Sequence, residues 1–126
     1  MALKLRQGWY LIVTQGFDLD KPGIYEWRIG DIGLYVGKAK RLRRRIRDYP
    51  NNIRRMIEGL PWHGNDAKQY RGIHYELRTA YDAGVEVRVQ ILENCLAEDR
   101  AFRERAWIAV RRQEQNAGGP RVLNAV

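Results

Sequence analysis

Between Gly23 and Tyr49 the chain reads GIYEWRIGDIGLYVGKAKRLRRRIRDY. Two tyrosines, Tyr25 and Tyr35, stand on either side of a turn, and the second leads into a string of cations that opens with Lys38. A phenol is a base only as its phenolate, and its ordinary pKa of about 10 must fall before that form is populated at neutral pH. Neighbouring positive charge lowers it, and Lys38 and Arg45 are at hand to supply that charge. Arg45 and Tyr49 are four residues apart, so on a helix they share one face. A planar guanidinium can grip two oxygens of one phosphate, whereas a lysine ammonium acts as a point charge. Taken alone, two tyrosines on strands are also ordinary strand packing, and Arg45 is one arginine among many.

The placement of charge narrows the reading. The chain of 126 residues has a formal net charge of +8 and an isoelectric point near 10.0. Nine basic residues fall between positions 38 and 55 (Lys38, Lys40, Arg41, Arg43, Arg44, Arg45, Arg47, Arg54 and Arg55), with Asp48 the one acid among them. That segment carries the whole net charge, and the remainder is balanced at 14 bases and 14 acids. A solvated helix face would intersperse acids; an unmixed patch is the footprint of a polyanion, nucleic acid before an anionic membrane. No apolar run approaches the roughly 20 residues of a membrane span, and the N-terminus has no leader pattern. A single cysteine, Cys95, points to a reducing, intracellular (cytoplasmic) setting. His63 and His74 match no zinc spacing, so a metal site would rest on carboxylate and water.

The elements that must position these groups follow from periodicity. Residues 9–14, WYLIVT, read as a strand, and 15–23 as a connection rich in turn formers. IYEWRIG and GLYVGKA flank Gly30-Asp31-Ile32-Gly33 as an antiparallel hairpin. Leu42, Ile46, Tyr49 and Ile53 fall at helical spacing, with Pro50 expected to end the helix near Tyr49. Residues 59–69 read as a loop. Ile73, Leu77, Ala80 and Tyr81 stripe a second helix that Gly84 stops, and Val85, Val87, Val89 and Ile91 alternate as a half-buried strand. A helix over 96–112 is expected to turn Phe102, Ala106 and Ala109 or Val110 inward. The order β, ββ, α, α, β, α predicts an α+β fold. Its small, mainly antiparallel three-stranded sheet, a hairpin plus a later strand, would be covered by helices, with an extra N-terminal strand.

With GIY at 23–25 and YVG at 35–37 the sequence resembles the GIY-YIG nucleases, and YVGKAKRLRRRIRDY is similar to the N-terminal incision domain of the bacterial excision-repair endonuclease. The resemblance implies a nuclease domain over 23–126 preceded by an extension at 1–22. It implies that Arg45, ten residues after Tyr35, and Tyr49, one turn on, belong to the active site with Tyr25, Tyr35 and Lys38. Glu104, in ERAWI, corresponds to the family's metal-binding glutamate. Asn124, in LN, corresponds to a structural or phosphate-contacting asparagine, with Asn116 the rival.

What the resemblance implies is a DNA endonuclease using Mg²⁺ or Mn²⁺, with water activated by Tyr35 or by Tyr25. Lys40, Arg41, Arg43, Arg44, Arg47, Arg54, Arg55 and Asn124 would contact nucleic acid. RNA as substrate, or a binding module that keeps the fold without cleavage, stay open as alternatives, as do a specificity partner and a homodimer. His74 is expected to be structural. Trp62 and His63 lie in a loop where stacking on a base or packing are both open, and Gly37 should permit close backbone approach.

Overall fold

The computed structural model describes residues 3–61 and 70–125; Trp62, His63 and most of the 59–69 loop lie outside them. Four strands form one sheet: β1 (Tyr10–Val13), β2 (Gly23–Ile29), β3 (Gly33–Ala39) and β4 (Val87–Asn94). Helices α1 (Leu42–Ile57) and α2 (Gly72–Ala83) separate β3 from β4, and α3 (Arg100–Asn116) follows. The sheet order is β1-β4-β2-β3. β2 pairs antiparallel with both β3 and β4, and β1 alone is parallel, to β4. The α+β fold with its extra N-terminal strand is therefore the one the sequence predicts.

Alternation along β2 splits the core. Tyr25, Trp27 and Ile29 join Val87, Val89 and Ile91 beneath α1 and α2. Ile24, with Leu34 and Val36 of β3, faces the other way, toward Trp107 and Ile108 of α3.

Two details correct the sequence reading. Pro50 does not end α1, which runs 16 residues from Leu42 to Ile57. A proline inside a helix costs about 3 kcal/mol, but Ile53 and Met56 continue the buried stripe of Leu42, Ile46 and Tyr49 beyond it. Each large apolar side chain so buried contributes roughly 1.5–3 kcal/mol, enough together to carry the helix through.

The second correction concerns α3. Phe102 and Val110 are 63% and 43% exposed and Ala109 is exposed too, so the apolar stripe points outward. Arg103, Trp107 and Arg111, spaced at four, face the sheet instead. The sheet presents two carboxylates there. Arg111 Nε donates to Glu26 at 2.5 Å and Arg103 Nε to Glu93 at 2.5 Å, while the Trp107 indole N–H reaches Glu93 at 3.0 Å. Glu26 is wholly buried and also accepts from Arg28 (2.7 Å) and Gln90 (2.6 Å). A buried charge demands partners more strongly than an alanine or valine demands burial, so ion pairing sets the rotation of α3.

At the outer edge of β3 the C-terminal segment adds an extended run. Leu34 N–H donates to Arg121 C=O at 2.8 Å, and Leu123 N–H to Leu34 C=O at 2.7 Å. The Asn124 side-chain amide then mimics a strand, accepting from Val36 N–H at 2.9 Å and donating to Val36 C=O at 2.8 Å.

Removing the Glu26 carboxylate takes from Arg111 its buried partner, leaving it only the more exposed Glu114, and leaves Arg28 without its ion pair. Glu26→Ala should lower unfolding stability by about 3–5 kcal/mol, read from urea midpoints. Loss of under 1 kcal/mol would show that the network contributes no net stability.

Candidate active site

Past Val36 the tail no longer covers β3, and a cavity of about 560 Å³ opens beside the strand's last turns. Residues from both faces of β3 reach it. Tyr35 and Gly37 come from the α1 side, as does Tyr25 from neighbouring β2, and Lys38 comes from the α3 side. Arg45 enters from α1 and Glu104 from α3, its carboxylate 3.9 Å from the Lys38 ammonium. Five of the six residues that the sequence groups as an active site therefore line one cavity.

The sixth, Tyr49, lies behind it. Its hydroxyl is 2.5 Å from the Tyr25 hydroxyl, and both rings are buried. The rings meet edge to face at 5.8 Å, and Tyr49 also packs on Trp27 at 5.2 Å and His74 at 5.3 Å. Gly37 makes room for this: a Cβ there would overlap the Tyr25 ring and hydroxyl.

Burial disfavours the phenolate, so the Tyr25 hydroxyl is pushed up to about 12, even though its bond to Tyr49 and the nearby Arg45 charge pull the other way. Tyr49 is raised well above its usual value, again chiefly by burial and then by the neighbouring Tyr25. Tyr35 is only half-buried and opens onto the cavity. The Arg45 charge lies close enough to Tyr25 to favour its phenolate, and the buried Arg45 Nε has no hydrogen-bond partner among the described residues.

The cavity is cationic. Lys38, Lys40, Arg41, Arg44 and Arg45 are joined by Arg71 and Arg100, against two carboxylates, Asp48 and Glu104. Three helices begin here: Arg41 caps α1, Arg71 caps α2, and Arg100 opens α3. None has an acid in its first turn, although α3 follows directly on Glu98 and Asp99 and the first amides of α1 donate to Lys21 and Leu19 C=O. Among the described residues no three His, Cys, Asp or Glu side chains gather as a metal cage. Glu104 and Asp48 are the hard oxygen donors the cavity offers.

Other residues assigned to nucleic acid lie elsewhere. Arg43 binds Asp20 at 2.9 Å and, with Arg47, lines a separate groove. Arg54 pairs with Glu58 at 3.3 Å, and Arg55 donates to Pro61 C=O at 3.0 Å. The Asn124 amide is taken up by Val36, which makes it structural, and Asn116 is an exposed residue at the end of α3. His74 is buried and structural: its Nδ1 accepts the Arg71 N–H at 3.2 Å, and its Nε2 lies 3.2 Å from the Asn52 amide.

This geometry can be set beside known proteins. Part of the chain is similar to UvrABC system protein C of Natronomonas pharaonis. The match is 48% identical over 42 residues, 30% of this chain, and spans 7% of that relative's length. No protein-family model matches the chain, and no solved structure does. No described helix is long and apolar enough to cross a membrane.

Sequence reasoning missed Asp48, Arg71 and Arg100. Arg100 had a signal, standing four residues before Glu104 and so on its helix face. Arg71 stands immediately before the α2 stripe, where a cap belongs, but nothing in its surroundings links it to the tyrosines.

Because the native state holds the Tyr25 proton more tightly than the unfolded chain does, its contribution to stability is complete below about pH 10 and is lost as pH rises toward 12. Denaturant titrations across that window should show falling stability, with a shallower fall in Tyr25→Phe. Phenolate absorbance from Tyr25 should follow unfolding rather than precede it. Early, fully reversible ionisation of Tyr25 in the folded protein would contradict its burial.

Proposed function

We propose that this protein is a divalent-metal-dependent endonuclease that hydrolyses DNA phosphodiester bonds through a tyrosine-activated water. The observation that carries the reading is the convergence of Tyr35, Lys38, Arg45 and Glu104 in one cationic cavity at the open end of β3. The GIY-YIG resemblance and the partial likeness to UvrABC system protein C point the same way.

A phosphodiester in this cavity meets the guanidinium of Arg45, which lines it. Its oxygens gather charge as water attacks in line, and the fixed guanidinium and the Lys38 ammonium are already oriented to stabilise that charge. Tyr35 is the general base: it is half-buried and lines the cavity, while the Tyr25 hydroxyl is bonded to Tyr49 and is held protonated by burial. Tyr25 and Tyr49 stand behind Arg45, near enough for their phenols to feel its charge. Glu104 would hold Mg²⁺ or Mn²⁺, which asks for one or two carboxylates with water and phosphate completing its shell. When bound, such an ion polarises the phosphoryl oxygens and offsets charge on the leaving oxygen. Lys38 neutralises Glu104 until substrate arrives. Lys40, Arg41, Arg44, Arg71 and Arg100 grip flanking phosphates.

General-base help is worth roughly 10²–10⁴ in rate. Tyr35→Phe should therefore slow single-turnover cleavage of a DNA duplex about a hundredfold or more, with Tyr25→Phe costing less. Glu104→Gln should abolish Mn²⁺-dependent cleavage while DNA binding persists. Wild-type rates in both Tyr35→Phe and Glu104→Gln would refute the mechanism, and preferential cutting of RNA would change the substrate.

Binding separates the two groups of cations. Each alanine at Lys40 or Arg44 should flatten the slope of log K against log salt by about 0.9 on duplex DNA. Alanine at Arg54, already paired with Glu58, should leave it unchanged. Equal effects from both groups would mean that DNA is bound along α1 and not at the cavity.

A further inference from the structure

The two edges of the sheet are treated differently. The β3 edge is covered by the chain's own extended C-terminal segment. The β1 edge is open among the described residues, where β1 pairs only with β4. Natural edges are usually blunted by lysine, proline or a bulge. β1 reads Tyr-Leu-Ile-Val and has none of these, and Leu11, Ile12 and Val13 are 58%, 45% and 38% exposed.

Beside this edge lies a groove of about 280 Å³ between β1 and α1. Tyr10, Ile12, Leu19 and Ile46 form its apolar floor, and Arg43 and Arg47 rim it. Asp20 is shared between Arg41 and Arg43, while Arg47 makes no ion pair among the described residues. The rim therefore keeps positive charge, turned away from the cavity that holds Arg45.

We propose that the β1 edge and this groove are a docking site for an extended acidic segment of a partner protein, added to the sheet as a fifth strand. Main-chain hydrogen bonds along Tyr10–Val13 would supply affinity, and alternate side chains would supply specificity. Side chains on one face of the added strand meet the floor and rim of the groove, where apolar and carboxylate groups fit. Those on the other face cover Leu11 and Val13. A second copy of this chain fits less well, because antiparallel pairing of two β1 edges sets one arginine rim near another on molecules of net charge +8. The inference does not rest on nuclease activity.

The test uses the full chain and a labelled ten-residue peptide alternating valine with glutamate, beside its valine–lysine counterpart. Anisotropy should show the acidic peptide binding at least tenfold more tightly. Amide NMR shifts on its addition should centre on Leu11–Val13, and Arg47→Glu should remove the preference. Arg47 is exposed, so that variant should fold, as its circular dichroism will show. Equal binding of the two peptides, or no binding of the acidic one, overturns the proposal. So do shifts centred on residues 38–45, which would mean simple attraction to the cationic cavity. A wild-type dimer in sedimentation that Ile12→Lys converts to monomer would replace the partner with a second copy.

Discussion

The rotation of α3 about its own axis is the constraint on which the site depends, and the buried Glu26 carboxylate does most to set it. At 3.6 residues per turn, Glu104 stands about 60° from the centre of the Arg103–Trp107–Arg111 stripe and roughly 180° from the centre of the Phe102–Val110 stripe. Had the Phe102–Val110 stripe turned inward, Glu104 would face solvent on the far side. Because Arg111 and Arg103 are held by Glu26 and Glu93, Glu104 comes to the rim of β3 beside Lys38, with Arg100 one turn away. A polar contact thus decides where the acidic group of the cavity lies.

Periodicity made most of the fold legible. The hairpin, the α2 stripe with its Gly84 stop at φ 70°, and the alternating strand around Val87–Ile91 appear where the sequence puts them. Failures occurred where a local rule met a stronger long-range one. Pro50 is a helix breaker by local rule, yet Ile53 and Met56 hold α1 against the core. Phe102, Ala106 and Val110 form a helical apolar stripe, but the partners of Arg103 and Arg111 lie on other elements, 10 and 85 residues away in sequence, where the amphipathicity of one helix does not register them. The site was legible as a set of residues and not as a surface. Arg43 and Arg47 look like Arg44 and Arg45 in a row of letters, and only the helix's rotation sends them to a different groove.

The three tyrosines show how one residue type is given different jobs by depth. Tyr25 and Tyr49 share a short hydrogen bond inside the core, where ionisation is opposed. Tyr35, on the adjacent strand and directly opposite Trp27, keeps its access to water. The arrangement needs the bare backbone at Gly37, across which the Tyr25 ring lies. Arg45 lies between the two environments, its charge close to Tyr25 on one side and lining the cavity on the other.

The clamp between Asn124 and Val36 spans 88 residues of chain, and the pairing of Arg111 with Glu26 spans 85. Translation runs from the N-terminus, so the tyrosines and the basic helix leave the ribosome long before the segments that fix their surroundings. Until α3 and the residues around Asn124 have emerged, the carboxylate of Glu104 is missing from the cavity and the edge of β3 is unpaired.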